Sequence, residues 1–246
     1  MDILQRMQQL ESGTAYRQLP PVDTPSYVHE SGRRPILISA PHATCHTRNG
    51  VKKMEEEYTL GVARTLAQIT NCHAIFNRWE IDEDPNWDQE SNYKQALRQI
   101  VLENDIQFVI DIHGMTNRHQ IGVAVGTMNG RSCPDQEPIL EQAFVESGFL
   151  SINPQNLDNL PSLPKPSWQR LVMNHPRFTG GIKSHTITRF VVDELKIPAA
   201  QVEITSAARI PYRGAHDGWP FHYFGEAEAI KATMQALADF VRILDF

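Results

Sequence analysis

The sequence of 246 residues has little cysteine, no excess of positive charge and no long apolar run. Its three cysteines, Cys45, Cys72 and Cys133, form no C-x-x-C pair and leave one thiol over, which favours a reducing compartment over a disulfide framework. The formal net charge of −6 provides no basic field for a phosphate backbone, so we expect no nucleic-acid partner. No stretch approaches the roughly 18 apolar residues of a membrane span and no signal peptide is evident, so we expect a cytoplasmic protein without a membrane partner.

Two kinds of motif are also missing. Neither G-x-x-x-x-G-K-[ST] nor G-x-G-x-x-G occurs, which argues against a phosphate-binding enzyme. The segment His42–His46 has the letters of a Cys/His zinc cluster, but no second Cys/His pair follows, as a structural zinc site would require. The pair Gly180–Gly181 predicts a turn.

Strand-like and helix-like segments alternate along most of the chain. The predicted strands are Pro35–Ala40, His73–Arg78, Phe108–Ile112, Ile121–Gly126, Phe149–Ile152 and Ala200–Ile204. The predicted helices are Lys53–Ile69, Asn92–Glu103, Glu137–Ser147, Ser184–Leu195 and Glu226–Leu244. This order predicts the α/β fold class, with a mostly parallel or mixed central sheet flanked by helices in a single domain.

The ends of this domain and one loop follow from composition. Residues 1–34 contain a weakly periodic helix and a stretch rich in Pro, Ser and Gly, so we predict an N-terminal arm followed by a catalytic domain over residues 35–246. Residues 153–168 contain four prolines. A loop of this length predicts either a lid or specificity loop or a disordered insertion.

Two buried strands end in histidine. The run Ile36–Ala40 is followed by Pro41 and His42, and the run from Phe108 leads through Asp111 to His113. Because open α/β sheets bind ligands at the carboxyl ends of their strands, we expect both imidazoles at one edge. Asp111 shares a face with His113 and is placed to orient that ring. Two imidazoles with one carboxylate and an open water position are typical of catalytic zinc, one ion per chain, although the same set also suits iron.

The carboxylate ligand is expected from the acidic run Glu55–Glu57. On a helical wheel Glu56 falls inside the apolar arc, Glu55 lies at its edge, and Glu57 faces water with Arg64, so we favour Glu56 and then Glu55. The alternative is that the acids only complement the dipole of a helix that begins there.

Further candidates complete a hydrolytic site. In the strand around Val202, Gln201 and Glu203 share a face, and a partly buried Glu203 would act as the base toward water. Positive charge is needed at a developing oxyanion and for an acidic substrate, for which Arg78, Arg189 and Arg209 are candidates.

Taken together, these segments resemble the N-formylglutamate amidohydrolase family over residues 36–213. The residues that carry the resemblance are Ser39–His42, Glu55–Thr59, Asn77–Arg78, Asp84–Asn86, Asp111–Gly114, Gln201–Ile204 and Arg209. The resemblance implies a zinc-carboxypeptidase-like (phosphorylase/hydrolase-like) fold and hydrolysis of an N-acyl amino acid, such as N-formylglutamate, by metal-activated water. It implies His42, His113 and a glutamate of the run 55–57 as zinc ligands, Glu203 as catalytic base, and an arginine at the oxyanion.

One position departs from the family pattern. Family members carry Asp-x-Asn-Arg where this chain has Asp84-Pro85-Asn86-Trp87. We expect Asn86 to keep its substrate contact. Trp87 cannot bind a carboxylate as arginine does, so a larger or less acidic acyl-amine is also a suitable substrate.

Two alternatives stay open from the sequence. A zinc carboxypeptidase or poly-glutamate-type peptidase would use the same metal set on a short peptide substrate, and the loop 153–168 would distinguish it. A non-catalytic ligand-binding protein on the same scaffold would have lost the base or a ligand, and the chain retains them all. The sequence leaves the oligomeric state undetermined.

Overall fold

A computed structural model describes residues 1–157, 166–215 and 220–246. The strands are β1 (Tyr27–Glu30), β2 (Arg34–Ala40), β3 (His46–Arg48), β4 (Val51–Lys53), β5 (Cys72–Asn77), β6 (Phe108–Met115), β7 (Val123–Gly126), β8 (Leu150–Ser151), β9 (Arg170–Met173) and β10 (Ala199–Thr205). The helices are α1 (Ile3–Glu11), α2 (Thr59–Thr70), α3 (Asn92–Glu103), α4 (Glu137–Glu146), α5 (Ile187–Phe190) and α6 (Ala227–Ile243).

Eight of these strands form one mixed sheet in the order β1-β5-β2-β6-β10-β7-β9-β8. Strands β5, β2, β6 and β10 run parallel to one another, whereas β1 and β7 pair antiparallel with β5 and β10. The remaining two strands, β3 and β4, form a separate hairpin. The prediction of a mostly parallel or mixed sheet in an α/β fold is confirmed.

Successive side chains of a strand point to opposite faces of the sheet. The central strands carry apolar side chains on both faces, and helices cover both. Ile36 and Ile38 of β2 belong to a core with α2, α4 and α6, while Leu37 between them belongs to a second core with α3 and α5. Since both faces are buried, the central strands read as continuous apolar runs. Any polar side chain within them is therefore conspicuous.

The predicted arm lies against the domain. Met7 of α1 is fully buried, and α1 packs beside α2. Strand β1 extends the sheet at its edge, where residues 20–35 were predicted to be irregular. Its four residues are all half-buried, so they show no alternation that the sequence could reveal. The division of the chain at residue 34 stays a prediction.

Several predicted boundaries were wrong. The helix predicted over Lys53–Ile69 begins only at Thr59, because β4 ends at Lys53 and the glutamate run lies between them. The helix predicted over Ser184–Leu195 is four residues of α5 followed by a π-helical turn. Strand β9 was missed beside the proline-rich loop, of which residues 158–165 lie outside the described residues. Within the described residues, no helix is both long and apolar enough to cross a bilayer.

A buried glutamate joins α1 to the start of α2. Residue Tyr58 precedes α2 in a left-handed conformation and supplies no side-chain cap. The carboxylate of Glu11 instead accepts hydrogen bonds from the backbone N–H of Tyr58 at 2.8 Å and of Gly61 at 2.6 Å, and from the hydroxyl of Tyr16. Burial raises the pKa of Glu11 to about 6, against the lowering effect of these hydrogen bonds. Glu11 thus satisfies amide groups that a helix start leaves without partners.

We predict that Glu11 makes folding weaker as the pH rises. Its carboxyl binds a proton more tightly in the folded chain, with a pKa of about 6 against the ordinary 4.5, so its contribution is full below pH 4.5 and is lost by pH 7. The loss amounts to about 1.5 kcal/mol. Urea unfolding of the wild type and of Glu11→Gln at pH 4.5 and 7 checks this. An equal pH response in both proteins contradicts the prediction.

Candidate metal centre

The candidate centre lies where three neighbouring parallel strands end. His42 follows β2 by two residues, and His113 and Glu203 are register partners on β6 and β10. Because β2, β6 and β10 are adjacent and parallel, their carboxyl ends meet at one edge of the sheet. The structure therefore brings together the three residues that the sequence predicted at this edge.

Glu56 lies between the two imidazoles. Its carboxylate oxygens are 3.1 Å from Nδ1 of His42 and 3.0 Å from Nδ1 of His113. Two backbone hydrogen bonds hold it there, from the N–H of Gly114 to its carboxylate at 2.8 Å and from its own N–H to the carbonyl of His42 at 2.9 Å. Glu56 thus occupies the position of the predicted acidic ligand without belonging to a helix.

A second carboxylate supports each imidazole from behind. Nε2 of His42 lies 2.9 Å from Asp84, and Nε2 of His113 lies 3.0 Å from Asp111. Both aspartates are fully buried. A carboxylate at Nε2 favours the proton on that nitrogen, so Nδ1 of a neutral ring would be the atom available to a metal. This is the arrangement that metal-ligating histidines show in proteins.

The residues fit a divalent cation. The ligand atoms of His42, Glu56 and His113 all lie within 4.8 Å of one another. Burial raises the pKa of Glu56, but the two imidazoles outweigh it and hold that pKa well below its ordinary value. The pKa of His42 is raised to about 9, because the charge of Glu56 and the bond to Asp84 exceed the lowering by burial. The cluster therefore requires positive charge between its members.

A second donor set shares His42 with the first. It consists of His42, His46 and Asp84. The Nε of Arg48 already donates to Asp84 at 2.5 Å, and the ring of His46 stacks on that of His42 with centroids 3.9 Å apart. Because a guanidinium occupies the carboxylate, this set serves better as support for His42 than as a metal site.

Glu203 faces the same cavity from β10. It is almost completely buried, and the side-chain amide of Gln201 donates to its Oε1 at 2.9 Å. Burial raises the pKa of Glu203 to about 7, partly offset by the charge of His113. A carboxyl with such a pKa exchanges protons near neutral pH, as a general base requires.

The cavity has a volume of about 350 Å³ and several basic walls. Besides the cluster and Glu203, its lining includes Asn86, Trp87, Gln201, Arg48, Arg118, Arg177 and Lys183. Asn86 is fixed because its Oδ1 accepts from the N–H of Ile187 at 2.7 Å. The guanidinium of Arg48 lies over the ring of Trp87, 5.2 Å from its centroid. A guanidinium thus lies next to position 87, where the resembled family has arginine.

One wall is backbone that only glycine permits. Gly180 and Gly181 have φ of 76° and 126°, in the left-handed region. A Cβ on Gly126 of β7 would lie 2.3 Å from the nitrogen of Gly180, so the two segments touch. The hydroxyl of Thr186 donates to the carbonyl of Gly180 at 2.8 Å and fixes the turn. The predicted Gly-Gly turn therefore lines the cavity.

Two of the three predicted arginines lie away from the cavity. Arg78 donates to the carbonyl of Gly13 and stacks on Trp79, and Arg189 pairs with Asp193. Neither lines the cavity.

Arg209 is buried behind Gly114. It donates to the backbone carbonyls of Glu57, Met115 and Ile204. Each of these three hydrogen bonds goes from the guanidinium to a backbone carbonyl. Arg209 thus stiffens the edge of the site.

No protein-family model matches the sequence, and the search of curated proteins gives no match either. Among solved structures, a bacteriophage poly-gamma-glutamate hydrolase matches with a TM-score of 0.50 and 13% identity over 90% of each chain. A metallo-carboxypeptidase from Burkholderia cenocepacia matches with a TM-score of 0.46 and 12% identity over 98% of this chain and 67% of that one. The first likeness shows a shared fold. Membership of the N-formylglutamate amidohydrolase family stays a prediction.

We predict that the supporting aspartates set metal affinity. Asp84→Asn and Asp111→Asn keep the side-chain shape but remove the charge behind an imidazole, so zinc affinity should fall about 10- to 100-fold in each. Competition titration with a chromophoric chelator measures the dissociation constant. Asp239→Asn, on the exposed side of α6, is the control and should bind as the wild type does. Wild-type affinity in both buried variants would rule out this role.

Proposed function

We propose that the protein is a metal-dependent hydrolase that cleaves the amide bond of an N-acyl amino acid, with one zinc held by His42, Glu56 and His113. One observation carries the proposal. Two imidazole Nδ1 atoms face a single carboxylate, and each ring is supported by its own buried aspartate. Two histidines and one carboxylate beside a cavity are the ligand pattern of hydrolytic zinc.

The chain's own residues would divide the chemistry as follows. Zinc bound to this set supplies a Lewis acid for water and for the scissile carbonyl. Glu203 takes up the proton of the attacking water and delivers it to the leaving amine, which its pKa near 7 permits in both directions. Gln201 holds the carboxylate of Glu203 through its amide. Asn86 lines the cavity and positions His113, because its Oδ1 accepts from the N–H of Ile187 and its Nδ2 lies 2.8 Å from Nε2 of His113.

The walls of the cavity support an acidic amino acid as the amine half of the substrate. Arg118, Arg177 and Lys183 line this cavity with Glu203, as does Arg48, whose guanidinium also pairs with Asp84. Guanidinium and ammonium groups bind carboxylates through charge-assisted hydrogen bonds. An N-acyl glutamate would meet these cations with two carboxylates. N-formylglutamate is the member of this class that the sequence resemblance implies.

A second candidate is hydrolysis of a glutamate chain. It is favoured by the shared fold with the phage enzyme, whose name gives poly-gamma-glutamate as its substrate, and by the same four cations. It uses the same metal ligands and base. A non-catalytic binding role is less well supported, because the ligands, their aspartates and Glu203 are all in place.

The first test combines metal content with turnover. We expect about one zinc per chain in the wild type, loss of the metal in His113→Ala, and retained metal in Glu203→Gln with kcat reduced at least about 100-fold. Elemental analysis and an assay of N-acyl amino acids and oligo-γ-glutamates provide the readouts. Glu146→Gln, on the exposed face of α4, is the matched control. No metal after reconstitution of the wild type would overturn the hydrolase proposal.

A charge test addresses the amine half. We expect Arg177→Gln to raise KM for an N-acyl glutamate about tenfold and to leave KM for the matching N-acyl alanine unchanged, because only the former has a side-chain carboxylate to bind. Arg242→Gln, at the exposed end of α6, serves as control. Equal effects on KM for both substrates would show that Arg177 does not bind the side-chain carboxylate.

A further inference from the structure

A second groove reaches the metal cluster from another side. It has a volume of about 650 Å³ and shares six lining residues with the cavity described above, namely His42, Arg48, Glu56, Gly114, Met115 and Thr116. Its remaining walls include Met54, Asn117 and Tyr223. The two spaces therefore meet at the cluster. A substrate bound across it has room on both sides of the scissile bond.

The two spaces differ in charge. Arg118, Arg177 and Lys183 line only the first, whereas the charges of the second are largely matched within the protein. Arg48 lines both spaces and pairs with Asp84 at 2.5 Å. Arg213 pairs with Glu57 at 2.8 Å, and Glu55 pairs with Arg17 at 2.8 Å. Lys53 also lines the second groove.

The second groove also offers apolar surface. Met54 is 53% exposed on its wall, beside Met115 and the ring of Tyr223. Thioether and aromatic side chains pack well on an aliphatic chain. The surface offered to a ligand here is mostly apolar, unlike that of the first cavity.

The position of Glu203 decides which half of the substrate occupies which space. Glu203 and Gln201 line the first cavity and not the second. A general base that activates water in amide hydrolysis returns the proton to the leaving amine, which must therefore lie within its reach. The amine half then lies among the cations. The acyl half, on the opposite side of the carbonyl carbon, extends toward the second groove.

We propose that the second groove binds the acyl half of the substrate, and that this acyl group is an apolar chain of several carbons. The inference rests on the proposed function. A formyl group has no carbon beyond the carbonyl and would leave the exposed side chain of Met54 uncovered. The substrate class is thus an amphipathic acyl-amine, acidic at the amine end and aliphatic at the acyl end.

Binding measurements test this without turnover. Zinc-loaded Glu203→Gln is titrated in a calorimeter with N-formyl-, N-acetyl- and N-hexanoyl-glutamate. We expect the dissociation constant to fall about tenfold from acetyl to hexanoyl, as for partial burial of four methylenes. A dissociation constant independent of acyl length would overturn the proposal.

Variants locate the acyl chain. Met54→Asp places a charge on the wall of the groove, so it should abolish the tenfold gain from the hexanoyl chain, whereas Met54→Leu should keep it. Val51→Asp is the control, because Val51 is 56% exposed on the same hairpin but does not line the groove. A full gain in Met54→Asp would show that the chain binds elsewhere and would overturn the proposal.

Turnover by the wild type separates this inference from the proposed function. Length-dependent binding without hydrolysis of any N-acyl glutamate would support the acyl groove and refute the hydrolase. Hydrolysis of all three compounds at equal kcat/KM, with length-independent binding, would support the hydrolase and refute the groove. Hydrolysis that favours N-hexanoyl-glutamate about tenfold over N-acetyl-glutamate would support both.

Discussion

The candidate site depends on one partly buried carboxylate held between two imidazoles. Glu56 lies within 3.1 Å of Nδ1 of His42 and of His113, in surroundings where an unbalanced charge is costly. The aspartates behind the rings add negative charge, so the cluster is stable only with protons or a cation among its members. This demand for positive charge is the physical basis for expecting a metal there. The rest of the fold places these three carboxylates and two rings.

The three consecutive glutamates, Glu55 to Glu57, have different partners in the structure. Glu55 is held by Arg17 and Glu57 by Arg213, one on either side of the site. Each outer glutamate thus anchors the segment through its own cation, and the middle one is left directed at the histidines. Glu11 fixes the next turn through the N–H groups of Tyr58 and Gly61. The non-helical segment before α2 is thereby held by ion pairs and backbone hydrogen bonds.

Much of the fold and part of the site could be predicted from the sequence. His42 and His113 follow long apolar runs, and such runs imply buried parallel strands whose ends meet. Glu56 was favoured on a helical wheel, yet α2 begins three residues later, so that argument does not explain its position. Helical periodicity cannot reveal a residue that backbone hydrogen bonds and neighbouring ion pairs place.

The arginines show the limit most clearly. Arg209 follows Glu203 closely in the sequence, yet its guanidinium bonds backbone carbonyls and does not line the cavity that Glu203 faces. Arg118, Arg177 and Lys183, by contrast, lie on exposed loops without periodicity, and only tertiary structure gathers them at one cavity. Sequence spacing gives only the separation of charged residues along the chain, whereas substrate binding depends on their separation in space. The grouping of these three cations with Glu203 around one cavity is therefore information that the folded chain alone contains.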